Sequence, residues 1–241
     1  MPVPGGVTAA RGFLAAGVAT GIKPKGPDLA LIFSTRMSSG AAVFTCNRVQ
    51  AAPVILSRKQ LQLSGGRIQA VLLNSGCANA CTGKQGMRDA ILSARTLAAH
   101  LALDAHCVLL ASTGVIGVRL PLAKLLAGIP SAIEALSRQG GSAAMRAIMT
   151  TDTREKVVAV EGWLAGKPVR IGGIAKGAGM IHPNLATMLS VITTDAGIRP
   201  SQLDRILRRV VERTFHCLTV DGDTSTNDTV VVLANGASGA S

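Results

Sequence analysis

The sequence is poor in aromatic residues. They make up 2% of its 241 residues, as four Phe, one Trp and no Tyr. Because 48% of the residues are hydrophobic, a core can still form, and it must consist chiefly of Ala, Val, Leu and Ile. With only 16% charged residues, the composition is that of a globular chain of one large or two small domains, not of a disordered one.

Acidic residues are also scarce. There are 13 Asp and Glu against 25 Lys and Arg, which gives a formal net charge of +12. Such an excess can indicate a nucleic-acid partner. The basic residues are scattered, however, and no aromatic side chains lie between them on which bases could stack. We therefore expect no nucleic-acid partner, and interpret the charge as a solvated basic surface or as a cleft that attracts small carboxylates.

Long apolar runs and targeting signals are missing as well. No run reaches the roughly 18 residues that would span a membrane. The opening Met-Pro-Val-Pro-Gly-Gly lacks the charged and then apolar pattern of a signal peptide. The cysteines are odd in number and irregularly spaced, which favours a reducing compartment over a disulfide framework. They are Cys46, Cys77, Cys81, Cys107 and Cys217. These absences predict a soluble, cytoplasmic protein that makes no membrane contact.

Common catalytic and cofactor motifs are absent too. The stretch Lys-Gly-Ala-Gly at 176–179 lacks the spacing of a phosphate-binding loop, and neither Gly-x-Ser-x-Gly nor His-Glu-x-x-His occurs. Cys77 and Cys81 lie four apart but have no second Cys or His pair nearby, so two ordinary thiols are favoured over a zinc site. We expect neither a metal nor a bound cofactor.

Short apolar runs bounded by Gly, Pro, Asn or Ser predict seven strands. They lie at 29–33, 42–45, 68–73, 107–111, 156–160, 188–193 and 229–233. Helical spacing predicts three helices. They lie at 87–103, 122–136 and 201–215, the last with a capping-box pattern at Ser201 and Asp204. The irregular alternation predicts an α+β (α/β layered) fold in which helices pack on mixed sheets.

Four segments beside these strands are rich in Gly, Thr, Asn and Asp. They lie at 74–79, 111–117, 150–153 and 220–228. Binding and catalytic residues often occupy such loops, although the same residue types also make ordinary turns. A hydroxyl nucleophile that has no His and Asp beside it can be activated by a base within its own residue. If the peptide bond before a Thr is cut, its new α-amino group can act as the base for its own hydroxyl.

In order along the chain, several motifs resemble those of the ornithine acetyltransferase family. They are Phe-Thr-Cys-Asn-Arg-Val-Gln-Ala-Ala-Pro at 44–53, Asn-Ser-Gly-Cys-Ala-Asn-Ala-Cys-Thr-Gly at 74–83, Ala-Ser-Thr-Gly-Val-Ile-Gly at 111–117, Thr-Thr-Asp-Thr at 150–153, Lys-Gly-Ala-Gly-Met-Ile-His-Pro-Asn-Leu-Ala-Thr-Met-Leu at 176–189 and Thr-Val-Asp-Gly-Asp-Thr-Ser-Thr-Asn-Asp-Thr at 219–229. The resemblance extends through nearly all of the chain. It implies an N-terminal-nucleophile-type, ornithine acetyltransferase/aminopeptidase-like fold.

The resemblance also implies a mechanism. The precursor would cut itself between Ala186 and Thr187, which gives an α chain of residues 1–186 and a β chain that begins at Thr187. Thr187 would then take the acetyl group of N-acetylornithine and pass it to glutamate in a ping-pong cycle, as a step of arginine biosynthesis. Acetyl-CoA is a further donor in bifunctional members. The two chains would stay together, as a heterotetramer of two α and two β chains.

The resemblance assigns roles to further residues. Thr113 and Gly114 match positions that stabilise the oxyanion, through a hydroxyl and a backbone N–H. Thr153 and Lys176 match substrate-binding positions, and a Lys suits an α-carboxylate as a compact charge. Family members also carry an acidic substrate-binding residue and a polar pair beyond the equivalent of Ser241. Residues 187–241 therefore match only the first part of a β chain.

Two alternatives use the same residues differently. An amidohydrolase or aminopeptidase with this fold would also use Thr187 but would pass the acyl group to water. A fragment that lacks the end of the β chain would be inactive, or would act only with a partner that supplies the missing segment.

Overall fold

The fold is built around one long strand. The computed structural model describes residues 1–180 and 188–241. In it, β2 (Leu29–Phe44) pairs antiparallel with β1 (Phe13–Val18) and with β3 (Arg67–Cys77), mostly along its first half. Its second half pairs antiparallel with β8 (Thr229–Ala234). One strand thereby connects residues from both ends of the chain.

The remaining strands extend the sheet on both sides. They are β4 (Val108–Val115), β5 (Val157–Leu164), β6 (Lys167–Lys176) and β7 (Leu189–Thr194). In the described part of the chain, the sheet has the order β4-β3-β2-β8-β7-β6-β5, and β1 pairs with β2. The pairs β3–β4 and β7–β8 are parallel, and the others are antiparallel. The predicted mixed sheet is confirmed.

The helices lie on the two faces of this sheet. They are α1 (Ala52–Leu63), α2 (Gly83–His100), α3 (Leu122–Glu134), α4 (Gly141–Ile148) and α5 (Pro200–Val211). Successive residues of a strand point to opposite faces. In β8, Val231 and Leu233 accordingly join the core with α4, whereas Val230 and Val232 pack towards α5. The strand β3 divides its residues in the same way between α4 and the layer with α2 and α3. The layered α+β architecture is therefore confirmed.

Several details differ from the sequence-based expectations. The predicted strands at 29–33 and 42–45 are one strand, because a register shift between Phe33 and Ser38 carries β2 through the polar residues between them. The strands β1 and β6 and the helices α1 and α4 were not predicted. The helix α3 continues through Pro130. The predicted capping box is wrong, since α5 begins at Pro200 with Arg199 as its N-cap and has no side-chain cap.

None of the helices in 1–180 and 188–241 is both long enough and apolar enough to cross a bilayer.

Candidate active site

Two of the polar loops meet at one edge of the sheet. Because β3 and β4 are parallel neighbours, their carboxyl ends lie side by side. The register pairs Ser75 with Thr113 and Gly76 with Gly114. The segments 74–79 and 111–117, which are far apart in sequence, therefore form one wall.

The other two loops approach the same place. Lys176 ends β6 and pairs with Leu189, the first residue of β7, and Leu189 in turn pairs with Thr229 of β8. The segment 220–228 leads directly into that strand. An open cleft of about 650 Å³ lies between the loops, with Thr113, Gly114, Thr150, Lys176 and Asn227 among its lining residues. All four polar segments thus contribute to one site.

Thr113 and Lys176 are in direct contact. The Lys176 ammonium donates a hydrogen bond to Thr113 Oγ1 at 3.2 Å. Both residues are buried, with Lys176 3% exposed and Thr113 6% exposed. An ammonium group can only donate, so it occupies an acceptor position of the hydroxyl. The Thr113 hydroxyl hydrogen is left to donate to another group. This arrangement is suited to stabilising a negative oxygen.

Gly114 stands where a side chain cannot be accommodated. Its φ of +133° lies in a region that L side chains rarely adopt, and a Cβ there would collide with the backbone of Gly76 and Cys77. The residue is exposed beside the buried Thr113. The close approach of the two strand ends therefore requires glycine and leaves backbone groups accessible from the cleft.

The charge on Lys176 is surrounded by other charges. Burial lowers the pKa of Lys176, and Lys156 and Lys23 act in the same direction, whereas Asp152 and Asp228 oppose them. Asp152 Oδ1 accepts hydrogen bonds from Lys156 Nζ at 2.6 Å and from the Gly177 amide at 2.8 Å. Although burial alone would raise the pKa of Asp152, these bonds and the nearby lysines hold it below its usual value. Asp152 thus acts as a fixed counter-ion.

Thr153 is exposed, and the part of the loop that lines the cleft is Thr150 and Thr151. Its assignment to substrate binding stays a prediction. Thr187 and Ala186 lie outside the described residues, so the expected nucleophile and cleavage point also stay predictions.

Asp228 is a site residue that motif reasoning missed. Its Oδ1 accepts a hydrogen bond from the Met188 amide at 3.0 Å, and Met188 follows Thr187 directly in the sequence. Its Oδ2 is buried and has no hydrogen-bond partner among the described residues. Burial raises the pKa of Asp228 to about 8, although the Met188 amide, Ser225 and Lys176 act against the shift. Asp228 and Lys176 are therefore close enough for the charge of each to influence the pKa of the other.

The loop that carries Asp228 is tied to the opposite wall of the cleft. Asn227 Nδ2 donates to the carbonyl oxygen of Ala78 at 2.7 Å and to that of Ser112 at 2.9 Å. The Thr45 hydroxyl donates to the Ser225 carbonyl at 2.6 Å. These bonds fix the distance between Asp228 and the ends of β3 and β4. The only sequence signal for this role was the polar composition of the segment.

The thiols do not form a cluster. Cys77 is buried, which raises its pKa, and Cys81 is exposed. Among the residues that the structure describes, no three His, Cys, Asp or Glu side chains are grouped so that they could hold a metal ion.

Solved structures place the fold in a class. The L-aminopeptidase D-Ala-esterase/amidase of Ochrobactrum anthropi, described as a variant of the Ntn hydrolase fold, aligns with 98% of this chain and 75% of its own at a TM-score of 0.61. The identity is 13%, so the likeness concerns the fold alone. The class that this architecture defines is the N-terminal-nucleophile type of fold.

Sequence relatives narrow the class to one family. The ArgJ family model matches residues 14–241, and the chain belongs to the ArgJ family. It is 56% identical over 238 residues to the arginine biosynthesis bifunctional protein ArgJ of a Synechococcus strain, and spans 57% of that relative's length. The ornithine acetyltransferase of Mycobacterium tuberculosis, solved in complex with ornithine, is 43% identical with a TM-score of 0.70 and covers 77% of this chain and 99% of its own.

Proposed function

We propose that this chain cuts itself between Ala186 and Thr187, and that Thr187 then transfers an acetyl group from N-acetylornithine to glutamate in arginine biosynthesis. The observation that carries the proposal is the Thr113 hydroxyl, which Lys176 holds beside Gly114 in the cleft. Membership of the ArgJ family supports the reaction. Acetyl-CoA is proposed as a further donor, and no bound cofactor takes part.

Self-cleavage uses the groups around the cleft in successive steps. Thr187 Oγ attacks the Ala186 carbonyl carbon, and Thr113 and Gly114 donate hydrogen bonds to the oxyanion that forms. The C–N bond then breaks, the Thr187 nitrogen takes the hydroxyl proton, and an ester links Ala186 to Thr187 Oγ. Water hydrolyses the ester, which frees the Ala186 carboxylate, the Thr187 hydroxyl and the Thr187 α-amine.

Acetyl transfer repeats the same chemistry with a different carbonyl. The α-amine of Thr187 takes the proton of its own hydroxyl, which attacks the acetyl carbon of N-acetylornithine. The proton passes to the leaving nitrogen and ornithine departs. The amine of glutamate then attacks the acetyl-Thr ester and regenerates the hydroxyl. Thr113 and Gly114 serve both oxyanions, while Lys176 and Thr153 are assigned to substrate binding.

The coverage of the solved relative supports a division into two chains. Almost all of the Mycobacterium tuberculosis chain aligns with 77% of the 241 residues, or about 186 residues. A separate chain that ends near position 186 would have this coverage. We therefore propose 1–186 as the α chain and 187–241 as the beginning of the β chain, in a heterotetramer of two of each.

Intact mass after expression tests the cleavage. We expect two species, one of which begins at Thr187. Thr187→Ala should remain a single chain, whereas Thr187→Ser should still be cut because it keeps the hydroxyl. A wild-type chain that stays whole would contradict self-cleavage by this polypeptide.

Ornithine release from N-acetylornithine, measured with and without glutamate, tests the transfer. A steady rate that requires glutamate and yields N-acetylglutamate is expected. Release at the full rate without glutamate would contradict transfer and identify a hydrolase instead.

A further inference from the structure

A second lysine lines the cleft, and the proposed cycle does not use it. Lys23 is half-buried, and its Nζ donates a hydrogen bond to the Met149 carbonyl oxygen at 3.0 Å. A lysine ammonium has three N–H donors. Both the side chain and the backbone of Lys23 are held in place. A residue that contributes to a binding site needs this rigidity.

The backbone of Lys23 is fixed by a buried carboxylate. Asp28 is 0% exposed, and its Oδ2 accepts a hydrogen bond from the Lys23 amide at 2.9 Å. Its Oδ1 accepts from the Thr20 amide at 2.7 Å and from the Thr20 hydroxyl at 2.8 Å. Hydrogen bonds to Asp28 therefore hold the turn from Thr20 to Lys23 in place without any contribution from a ligand.

The stem of Lys23 lies against the strand ends that carry the oxyanion residues. A Cβ on Gly76 would lie 2.9 Å from Lys23 Cγ, so the absence of a side chain at Gly76 gives the lysine its path. Gly76 pairs with Gly114 in the parallel register of β3 and β4. Lys23 thus enters the cleft along the strand ends that carry Thr113 and Gly114.

The two lysines of the cleft differ in their surroundings. Lys176 is buried, donates to Thr113 and has Asp152 and Asp228 as neighbouring acids. Burial lowers the pKa of Lys23, against the attraction of Asp28. Lys23 also lowers the pKa of Lys176, so the two charges lie close enough to interact. A ligand with two carboxylates would relieve this repulsion, whereas a cationic side chain would not.

We propose that Lys23 binds the side-chain carboxylate of the acidic acetyl acceptor and thereby selects glutamate in the second half of the reaction. This inference rests on the proposed function, because it assumes that the cleft receives both substrates. The donor has one carboxylate and a cationic side chain, and the acceptor has two carboxylates. One fixed cation in the cleft would distinguish them by charge-assisted hydrogen bonding.

The test compares Lys23→Met with Lys25→Met, which removes an equal charge from an exposed position two residues away. Each variant is made in the full natural polypeptide. In a ping-pong cycle, kcat/KM for each substrate reports its own half-reaction. We expect Lys23→Met to lower kcat/KM for glutamate by about tenfold to hundredfold, the usual effect of losing a charge-assisted hydrogen bond. The value for N-acetylornithine should change less than about twofold. Lys25→Met should change neither.

Glutamine as acceptor separates carboxylate recognition from a general defect. Glutamine keeps the shape of glutamate but lacks the second carboxylate, so its kcat/KM should be nearly the same in wild type and in Lys23→Met. Lys23→Arg keeps a positive charge and should restore part of the preference for glutamate. Equal losses with both acceptors, or an unchanged value for glutamate, would overturn the proposal.

A wild-type protein that releases no ornithine would count against the proposed function and not against Lys23. Calorimetric titration with glutamate and glutamine then decides the question. Tighter binding of glutamate that Lys23→Met abolishes supports the assignment, and equal affinities in wild type reject it.

Discussion

Lys176 Nζ lies 3.2 Å from Thr113 Oγ1, and 62 residues separate the two in sequence. The contact indicates a role for Lys176 besides the carboxylate binding that we propose, because an ammonium that donates to the hydroxyl orients its proton towards another acceptor. Substitution of either residue distinguishes the two roles.

Lys176→Met should slow self-cleavage and acetyl transfer by about 10²–10³, the loss typical of an oxyanion donor. If Lys176 acts through Thr113, kcat falls and KM changes little, and Thr113→Val behaves in the same way. Thr113→Ser keeps the hydroxyl and should retain most of the activity. Steady-state kinetics check this, with circular dichroism as the control for folding. An increase in KM at unchanged kcat would instead support carboxylate binding alone.

Asp228 should make stability fall as pH rises. Its folded-state pKa is about 8, above the unfolded value of about 3.9, so the folded chain binds more protons between these values. The contribution is fully present below about pH 4 and is lost as pH rises through 8. Its slope should approach about 1.4 kcal/mol per pH unit within that window.

Asp228→Asn provides the comparison, because the amide keeps an acceptor for the Met188 N–H but does not titrate. Urea unfolding of both proteins from pH 5 to pH 8 should show that the wild type loses stability relative to the variant as the pH rises. Parallel curves across this range would contradict the raised pKa.

Gly114→Ala should be far more costly than Gly117→Ala. Both glycines have positive φ, at +133° and +81°, but only at Gly114 would the new methyl group collide with backbone. We expect a loss of about 1 kcal/mol at Gly117 for backbone strain alone, and about 3 kcal/mol or more at Gly114. Thermal unfolding measures the loss of stability in both variants. Equal losses would show that the strand ends can separate at little cost in free energy.

Asn227→Ala should destabilise the protein by about 2–4 kcal/mol, because it leaves two buried carbonyl oxygens without their donor. Asn47→Ala is a milder control, since Asn47 donates to one carbonyl, that of Thr224, in a half-buried place. Denaturant unfolding gives both values. If the two variants lose the same stability, Asn227 does not connect the walls of the cleft as the geometry indicates.

Local patterns were sufficient for much of the fold. The uninterrupted Val and Leu run of β8 predicts a strand, and all six residues of that strand are buried. The apolar spacing of α2 and α5 likewise predicted helices close to those observed. Prediction failed where tertiary pairing overrides the local pattern. The polar middle of β2 reads as a break between two strands, yet β2 is continuous, because β1 and β3 pair with its first residues and β3 and β8 pair with those from Ser38 onward.

The site was predictable only in part. The segments at 74–79, 111–117, 150–153 and 220–228 were recognised by composition, and the resemblance added Thr113, Gly114 and Lys176. Asp228 and Lys23 were not singled out, because an Asp in a turn or a Lys in a loop has no local feature that indicates burial or a cleft. The roles that the resemblance assigns to residues remain predictions, for Thr113, Gly114 and Lys176 as for Ala186, Thr187 and Thr153.

The sequence by itself determined the fold class, most of the strands and the membership of a family, because these depend on residue type, periodicity and motif order. Only the tertiary structure decided that Lys176 donates to Thr113, that Asp228 holds the Met188 amide and that Lys23 lies against Gly76. The reason is physical. Hydrogen bonds and desolvation depend on distances between side chains, and here those distances are set by the way the sheet and its loops bring together residues that are far apart in sequence.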